Sequence, residues 1–355
     1  MKLRKNIIFK ILILKQFTCL YGGAVWVNYG WELFEHVTNA RISSLGNSAI
    51  AYDINSSAAA ILNPSIINHS KKKFELTHHS RFAGVVNSDI LGGQLFTQKN
   101  TRLVYNILYE GVSKIPNTQS SLLDWGMDGV FNTKDLGEGN GVLDEGERLD
   151  VSSINFFSQH QLGVHFAFMH NIRKIPIGIG TKLLLYSLDE HTAIGLGMDF
   201  GVIKNVKKVN LGFTLKNAPS SGLIWDSGTI EATSPTFALG MHAPYYFKKL
   251  PLEFHTMSGL DISLRNNYLN NQLQIGNINL NSSTGVEIIY DSKIFFRFGQ
   301  NQMGSGTGGL GLRWPAFSLD YSFEASDRDS GLGNNHLFTI SIFPDWIREY
   351  LKSVN

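Results

Sequence analysis

Along residues 193–202 two kinds of side chain alternate strictly. Ile194, Leu196, Met198, Phe200 and Val202 form one set, and Ala193, Gly195, Gly197, Asp199 and Gly201 the other. Successive side chains of an extended strand point to opposite faces, so this segment has one greasy face and one small, polar face. The pattern recurs at Val209, Leu211, Phe213 and Leu215 against Asn210, Gly212, Thr214 and Lys216. It recurs again at Phe317, Leu319, Tyr321 and Phe323 against Ser318, Asp320, Ser322 and Glu324. A soluble sandwich buries the greasy face and wets the polar one; a membrane barrel shows the greasy face to lipid and the polar face to its lumen. A wetted face calls for abundant Lys, Glu and Thr. Here the polar side is mostly Gly, Ala and Ser, with isolated charges such as Asp199, Arg297, Arg313 and Asp320, and Phe295 shares that side with Arg297. The pattern therefore favours an all-β fold, a single antiparallel transmembrane β-barrel, over a sandwich.

Composition agrees with this choice. Of 355 residues 35 are Gly, 23 Phe and 12 Tyr, and only 17% are charged. Barrel walls use aromatic and branched side chains outside and small ones where the lumen is crowded. Mean hydropathy is −0.06, as expected when two opposite faces cancel. A net charge of +2 gives no electrostatic case for nucleic acid. Lys2, Arg4 and Lys5 precede a mostly apolar run from Ile7 to Leu20, and Gly22 and Ala24 stand at −3 and −1 of a cut after Ala24, so residues 1–24 are expected to be a signal peptide. The alternative is an amphipathic N-terminal helix of a soluble protein, since Lys10 and Lys15 interrupt the apolar run. The single cysteine, Cys19, falls inside that leader and lacks a lipoprotein cleavage box. No later segment approaches the ~20 apolar residues of a spanning helix.

Residues 25–72 show no strand alternation. Small residues crowd Ser43–Ala60, Asn55 is placed to cap a short helix through Ala58 to Leu62, and Asn63-Pro64 would stop it. Such a segment suits a narrow space, a plug in the lumen. The barrel follows over 73–343, with strands expected near 74–82, 90–98, 102–110, 155–169, 175–187, 193–204, 207–216, 235–243, 252–263, 271–279, 284–290, 293–300, 307–314, 316–324 and 335–343. Fifteen is odd, so one pair is expected to merge. Tight turns at 205–206, 291–292 and 314–316 alternate with long polar loops at 111–153 and 217–234, the asymmetry of barrel hairpins. Beyond Phe343, residues 344–355 carry Trp346, Ile347, Tyr350 and Leu351, an amphipathic tail.

The 111–153 insertion is acidic. Calcium takes six to eight oxygen ligands on a loop turned sharply by glycine. Numbered from Asp124, Asp128, Gly129, Asn132 and Asp135 fall at positions five, six, nine and twelve of an EF-hand-like loop, with Gly126 replacing the third ligand. A second frame places Glu138, Asn140, Gly141, Asp144 and Glu147 at positions three, five, six, nine and twelve, with Leu136 unable to ligate at position one. A structural Ca2+ bound by these residues is the expectation, and a solvated acidic loop the alternative. No catalytic motif is present: HExxH, GxSxG, CxxC and GxxxxGK[ST] are all missing. Gly304, Gly306, Gly308, Gly309 and Gly311 lack the strand-then-helix setting of a phosphate loop. An enzyme is not expected.

Asn39-Ala40-Arg41, then Leu45-Gly46-Asn47-Ser48-Ala49, then Asn63-Pro64-Ser65, with Asp53 and Ser57–Ala60 between, form an ordered set before the first strand. This opening resembles the N-terminus of the PorV/PorQ family within the larger group of FadL-like outer-membrane barrels. Leu45, Asn47 and Ser65 depart from that family's Met, Gly and Ala. The resemblance covers about thirty residues; elsewhere only the pattern agrees. It implies a barrel of about fourteen strands in the cell outer membrane, with a luminal plug whose motif is Asn39, Ala40, Arg41, Gly46, Asp53, Asn63 and Pro64. FadL-like members pass hydrophobic compounds laterally through the wall, whereas PorV-like members serve type IX protein secretion. The long 111–153 loop points to a PorV-like component, with outer-membrane lipid, secretion-machinery proteins and exported cargo as partners. The alternatives are a channel for a hydrophobic solute and a secreted soluble β-sheet protein.

Overall fold

The computed structural model describes residues 25–26, 31–36, 38–66, 73–98, 100–118, 120–264, 272–325 and 333–347. The expected leader and residues 348–355 of the tail lie outside them; residues 344–347 are helical. Fourteen antiparallel strands form the wall: β1 (Phe74–Arg81), β2 (Val86–Gln98), β3 (Thr101–Asn117), β4 (Asn155–Ile172), β5 (Ile175–Leu188), β6 (His191–Val206), β7 (Val209–Lys216), β8 (Thr236–Tyr246), β9 (Leu252–Ser263), β10 (Ile278–Tyr290), β11 (Ile294–Gln300), β12 (Gly306–Arg313), β13 (Phe317–Glu324) and β14 (Asn335–Ile342). Each pairs with its neighbours, and β14 closes on β1 from Phe74↔Ile342 to Ser80↔His336. Closure leaves no free sheet edge, as a lipid environment demands of strands. The expected segments 271–279 and 284–290 correspond to the single strand β10, with Leu273–Ile275 folding back to pair on it.

The alternation decides which face meets what. In β6, Ile194, Leu196, Met198 and Phe200 are exposed on the outside, Leu196 at 66%, while Ala193, Gly195, Gly197, Asp199 and Gly201 are buried inside. Phe213, Leu310, Leu319 and Phe338 likewise face outward, and Thr214, Arg297 and Ser322 inward. The outward band meets lipid, and the molecule is an outer-membrane-type barrel. At one end the links are short, spanning 99–100, 173–174, 207–208, 247–251, 291–293 and 314–316; by the usual asymmetry this is the periplasmic end. The other end carries the long connections 118–154, 217–235, 264–277 and 325–334.

The lumen holds residues 31–36 and 38–66, with three one-turn helices: α1 (Leu33–His36), α2 (Ala40–Ser43) and α3 (Ala59–Leu62). Asn55 does not cap α3; its backbone is left-handed (φ 50°), and the N-cap is Ala58 without a side-chain bond. Asn63-Pro64 does stop the helix, with Asn63 extended. Ile42, Leu45, Ala49, Tyr52, Ile54 and Leu62 form one buried cluster; Trp31, Leu33 and Phe34 form another with the wall residues Ile90, Leu108, Leu184 and Leu223. Wall glycines make the room. A Cβ on Gly240 would lie 2.5 Å from Ile50 Cβ, and one on Gly299 2.6 Å from the Leu45 carbonyl carbon. This is why small residues dominate the inner face.

Candidate functional site

Two features rise from this scaffold: polar anchors that fix the plug, and a break in the wall. The anchors begin with the sequence motif. Asn39 caps α2 by accepting from the Ile42 N–H at 2.8 Å, and its Nδ2 donates to Ser56 Oγ at 2.7 Å. The Ala40 N–H donates to Thr339 Oγ1 of β14 at 2.9 Å. Arg41 makes a two-pronged pair with Glu287 of β10, Nε to Oε1 at 2.8 Å and Nη2 to Oε2 at 2.7 Å. Tyr52 donates to the same carboxylate at 2.6 Å, and Arg297 reaches it at 2.7 Å and Asp320 at 2.8 Å. Gly46 adopts φ 62° where its backbone meets that of Gln300, a left-handed turn with no room for a side chain. Asn63 Nδ2 donates to the Ile50 carbonyl at 2.9 Å and its Oδ1 accepts from the Ser65 hydroxyl at 2.6 Å; Pro64 packs over Gly178 of β5. Asp53 accepts from the Asn55 N–H at 3.4 Å and touches no wall residue through that bond. A second clamp was not visible in the motif: Glu75 of β1 accepts from Ser56 Oγ at 2.7 Å, the Ser57 N–H at 2.8 Å and Lys73 at 2.9 Å.

The expected calcium ligands are placed differently. Asp124 accepts from the Gly139 and Gly141 N–H groups at 2.8 and 2.7 Å, which hold its carboxyl below the usual range. Asp128 accepts from the Val130 N–H, Asp135 from the Asp128 N–H, and Glu147 from the Gly126 and Asp144 N–H groups. Glu138 takes the N–H groups of Asn132 and Lys134, and Asn140 donates to Asp144 at 2.6 Å. Among the described residues no three acidic, histidine or cysteine side chains converge on one point. In this arrangement the carboxylates serve the turns of the loop, each accepting from backbone or side-chain N–H groups.

The wall break lies between β6 and β7. Pairing runs to Leu215↔Phe200 and resumes at Gly222↔Leu196, so residues 216–221 stand opposite only 197–199. The surplus chain bulges at 217–220, and Ser221–Trp225 and Ile230–Thr233 then form a hairpin that extends the wall outward. Asn217 makes the turn with φ 55°, a region Asn tolerates. Its N–H donates to Asp199 Oδ1 at 2.8 Å, and its Oδ1 accepts from Ser221 Oγ at 3.0 Å. Lys182 of β5 completes the knot: its Nζ lies 2.7 Å from Asp199 Oδ2 and 3.3 Å from Asn217 Oδ1, and 5.5 Å from the centre of the Phe34 ring.

A cavity of about 900 Å³ opens at this break. Phe166, Leu183, Ile194, Leu196, Met198 and Ile224 line it from the lipid side, and Lys182, Ala193 and Gly197 from the lumen side. On the lumen side Trp31 packs against this stretch of β6: a Cβ on Gly195 would lie 2.8 Å from its Cζ2, and one on the lining residue Gly197 3.4 Å from its Cζ3. Nothing in the strand pattern marked this site, because residues 217–234 look like an ordinary polar loop. Asp199 was the one signal, a charge on an otherwise small inner face.

No protein-family model matches the chain, and no curated protein matches it in sequence. Among solved structures the fold is similar to that of the toluene transporter TbuX of Ralstonia pickettii, with a TM-score of 0.52 at 12% identity over 86% of this chain and 98% of that one. The monoaromatic hydrocarbon channel TodX, in a deltaS2 mutant, gives 0.48 at 11% over 88% and 98%. A FadL homologue of Pseudomonas aeruginosa gives 0.42 at 10% over 86% and 97%. The match to TbuX shows a shared barrel architecture.

Proposed function

We propose that this protein is a plugged outer-membrane channel through which small apolar molecules pass sideways, by way of the cavity in its wall. The observation that carries the reading is the cavity itself: an apolar chamber at a built break in the strand ladder, lined by outward-facing apolar side chains and backed on the lumen side by Trp31 behind Gly197. An apolar molecule gains about 25 cal/mol per Å² when it leaves water, so such a chamber competes with solvent without any specific polar contact. A dry cavity of ~150 Å³ holds benzene, so one about six times larger has room for a bulkier apolar guest. The toluene and monoaromatic-hydrocarbon names of the structural neighbours agree with this class of cargo. Passive conduction needs no catalytic group.

The PorV-like reading has one observation in its favour. The connection between β3 and β4 displays Phe131 at 71% exposure and Leu136 at 79%, beside Val142 and Leu143, as a surface for another protein would. The cavity, by contrast, has no use in handing over folded cargo, and it supports the solute channel. The test is binding of an aromatic solute followed by Trp225 fluorescence in lipid nanodiscs. Gly222 lines the cavity and faces open space, its Cβ position meeting only the Glu231 carbonyl at 3.9 Å. Gly222→Trp should fill the chamber and abolish binding; undiminished binding would refute the assignment.

A further inference from the structure

The charges around the chamber select among apolar molecules. The cationic side chain in its lining is Lys182, 3% exposed. Its Nζ donates to Asp199 Oδ1 at 2.9 Å and to Asn217 Oδ1 at 3.3 Å, lies 2.7 Å from Asp199 Oδ2 as an ion pair, and stands 5.5 Å from the centre of the Phe34 ring. A carboxylate entering the chamber would have to break that knot, leaving Asp199, fully buried, without its counter-ion. Lys182 is therefore a strut of the wall break, its charge matched by Asp199.

The remaining charged lining residues are Asp226 and Glu231, both acidic. Asp226 is held at the outer rim by the Thr192 N–H at 2.8 Å and by His191 Nδ1 at 3.2 Å. Glu231 sits on the outer hairpin, where its strand pairs with Leu223. An anion entering the chamber therefore finds two carboxylates in the lining and an ammonium already paired with Asp199. Burying an unpaired carboxylate is costly, and like charges at the mouth add to that cost.

Resting on the channel reading, we infer that the site takes uncharged apolar compounds, such as hydrocarbons and alcohols, and rejects carboxylates of the same length. Asp226 and Glu231 are the specificity-determining residues, and the closed Lys182–Asp199–Asn217 knot is what makes the rejection possible.

The experiment uses a matched pair, 11-bromoundecanol and 11-bromoundecanoate, at about pH 9 where the latter is ionised. Bromine quenches tryptophan on contact, and Trp225 lines the chamber. Binding to the full chain in nanodiscs is read as quenching lost in Trp225→Phe, with Gly222→Trp as the filled control. The alcohol should bind at least about tenfold more tightly than the carboxylate, and Asp226→Asn with Glu231→Gln should shrink the ratio to about threefold or less. A carboxylate that binds as tightly as the alcohol, with both displaced by Gly222→Trp, overturns the charge selection and leaves the channel reading standing. If neither binds, or filling the chamber changes nothing, the chamber is not a solute site and both readings fall.

Discussion

Removing the Glu287 carboxylate tests whether the plug is held by charge. In the Glu287→Ala variant the Arg41 guanidinium loses two bonds and Tyr52 one, while Arg297 keeps Asp320. Taking away one partner of a buried ion pair costs about 3–5 kcal/mol, because the other charge stays buried unpaired. Part of that cost falls on Arg297, which belongs to the wall and is unchanged by undocking. The share that opposes docking is the bonds from Arg41 and Tyr52, about 1.5–3 kcal/mol for hydrogen bonds to a charged group. At about 1.4 kcal/mol per tenfold, the undocked population should rise roughly 10- to 100-fold. Single-channel recording in planar bilayers reads this as frequent ion-conducting openings, and heat-modifiable gel migration confirms that the barrel is intact. Arg41→Ala should produce the same openings from the plug side, and the double variant should add little, since both remove one interaction. Silent traces from all three variants would refute the argument, as would openings that add in the double variant.

Four further outcomes follow. Leu196→Arg puts a charge on the lipid face near mid-strand and should cost about 2–4 kcal/mol in folding into liposomes; folding equal to the unmodified protein would remove β6 from the lipid boundary. Gly240→Val should displace Ile50 and raise conductance without loss of heat-modifiability, and a plug that stays closed would show that the fit there is loose. Burial, reinforced by Glu287, raises the Tyr52 phenol well above its ordinary range, so above about pH 10 the freed plug ionises while the docked one keeps its proton. Docking must then weaken as pH rises, and Tyr52→Phe should abolish that alkaline increase in conductance. Because the carboxylates of the 124–147 loop are already bonded to backbone N–H groups, protease cleavage at Gly137 or Gly139 should be equally fast in chelator and in millimolar calcium; protection by calcium would mean the loop refolds around the ion.

The wall was legible because a barrel has two unlike solvents, lipid and a packed lumen, and each strand records both in alternate residues. The expected surplus strand came from β10, where Asn279, Asn281, Ser282 and Ser283 blur the alternation and make one strand look like two. The plug motif was legible as a local string. Its partners were not: Arg41 meets Glu287 across 246 residues, and Ser56 meets Glu75 across 19, a pairing that only closure of the sheet creates. The cavity was invisible for a related reason, since a three-residue surplus between two paired strands leaves no mark on either one. Asp, Asn and Gly at short spacing serve tight turns as well as they serve an ion, so the spacing of the 124–147 loop alone does not separate the two.

Uptake of an apolar aromatic solute by cells carrying this protein in the outer membrane tests the central claim most directly. The account predicts that Gly222→Trp abolishes the uptake that the unmodified chain confers, with equal amounts of heat-modifiable barrel in both. Uptake unaffected by filling the chamber would contradict lateral passage through the wall.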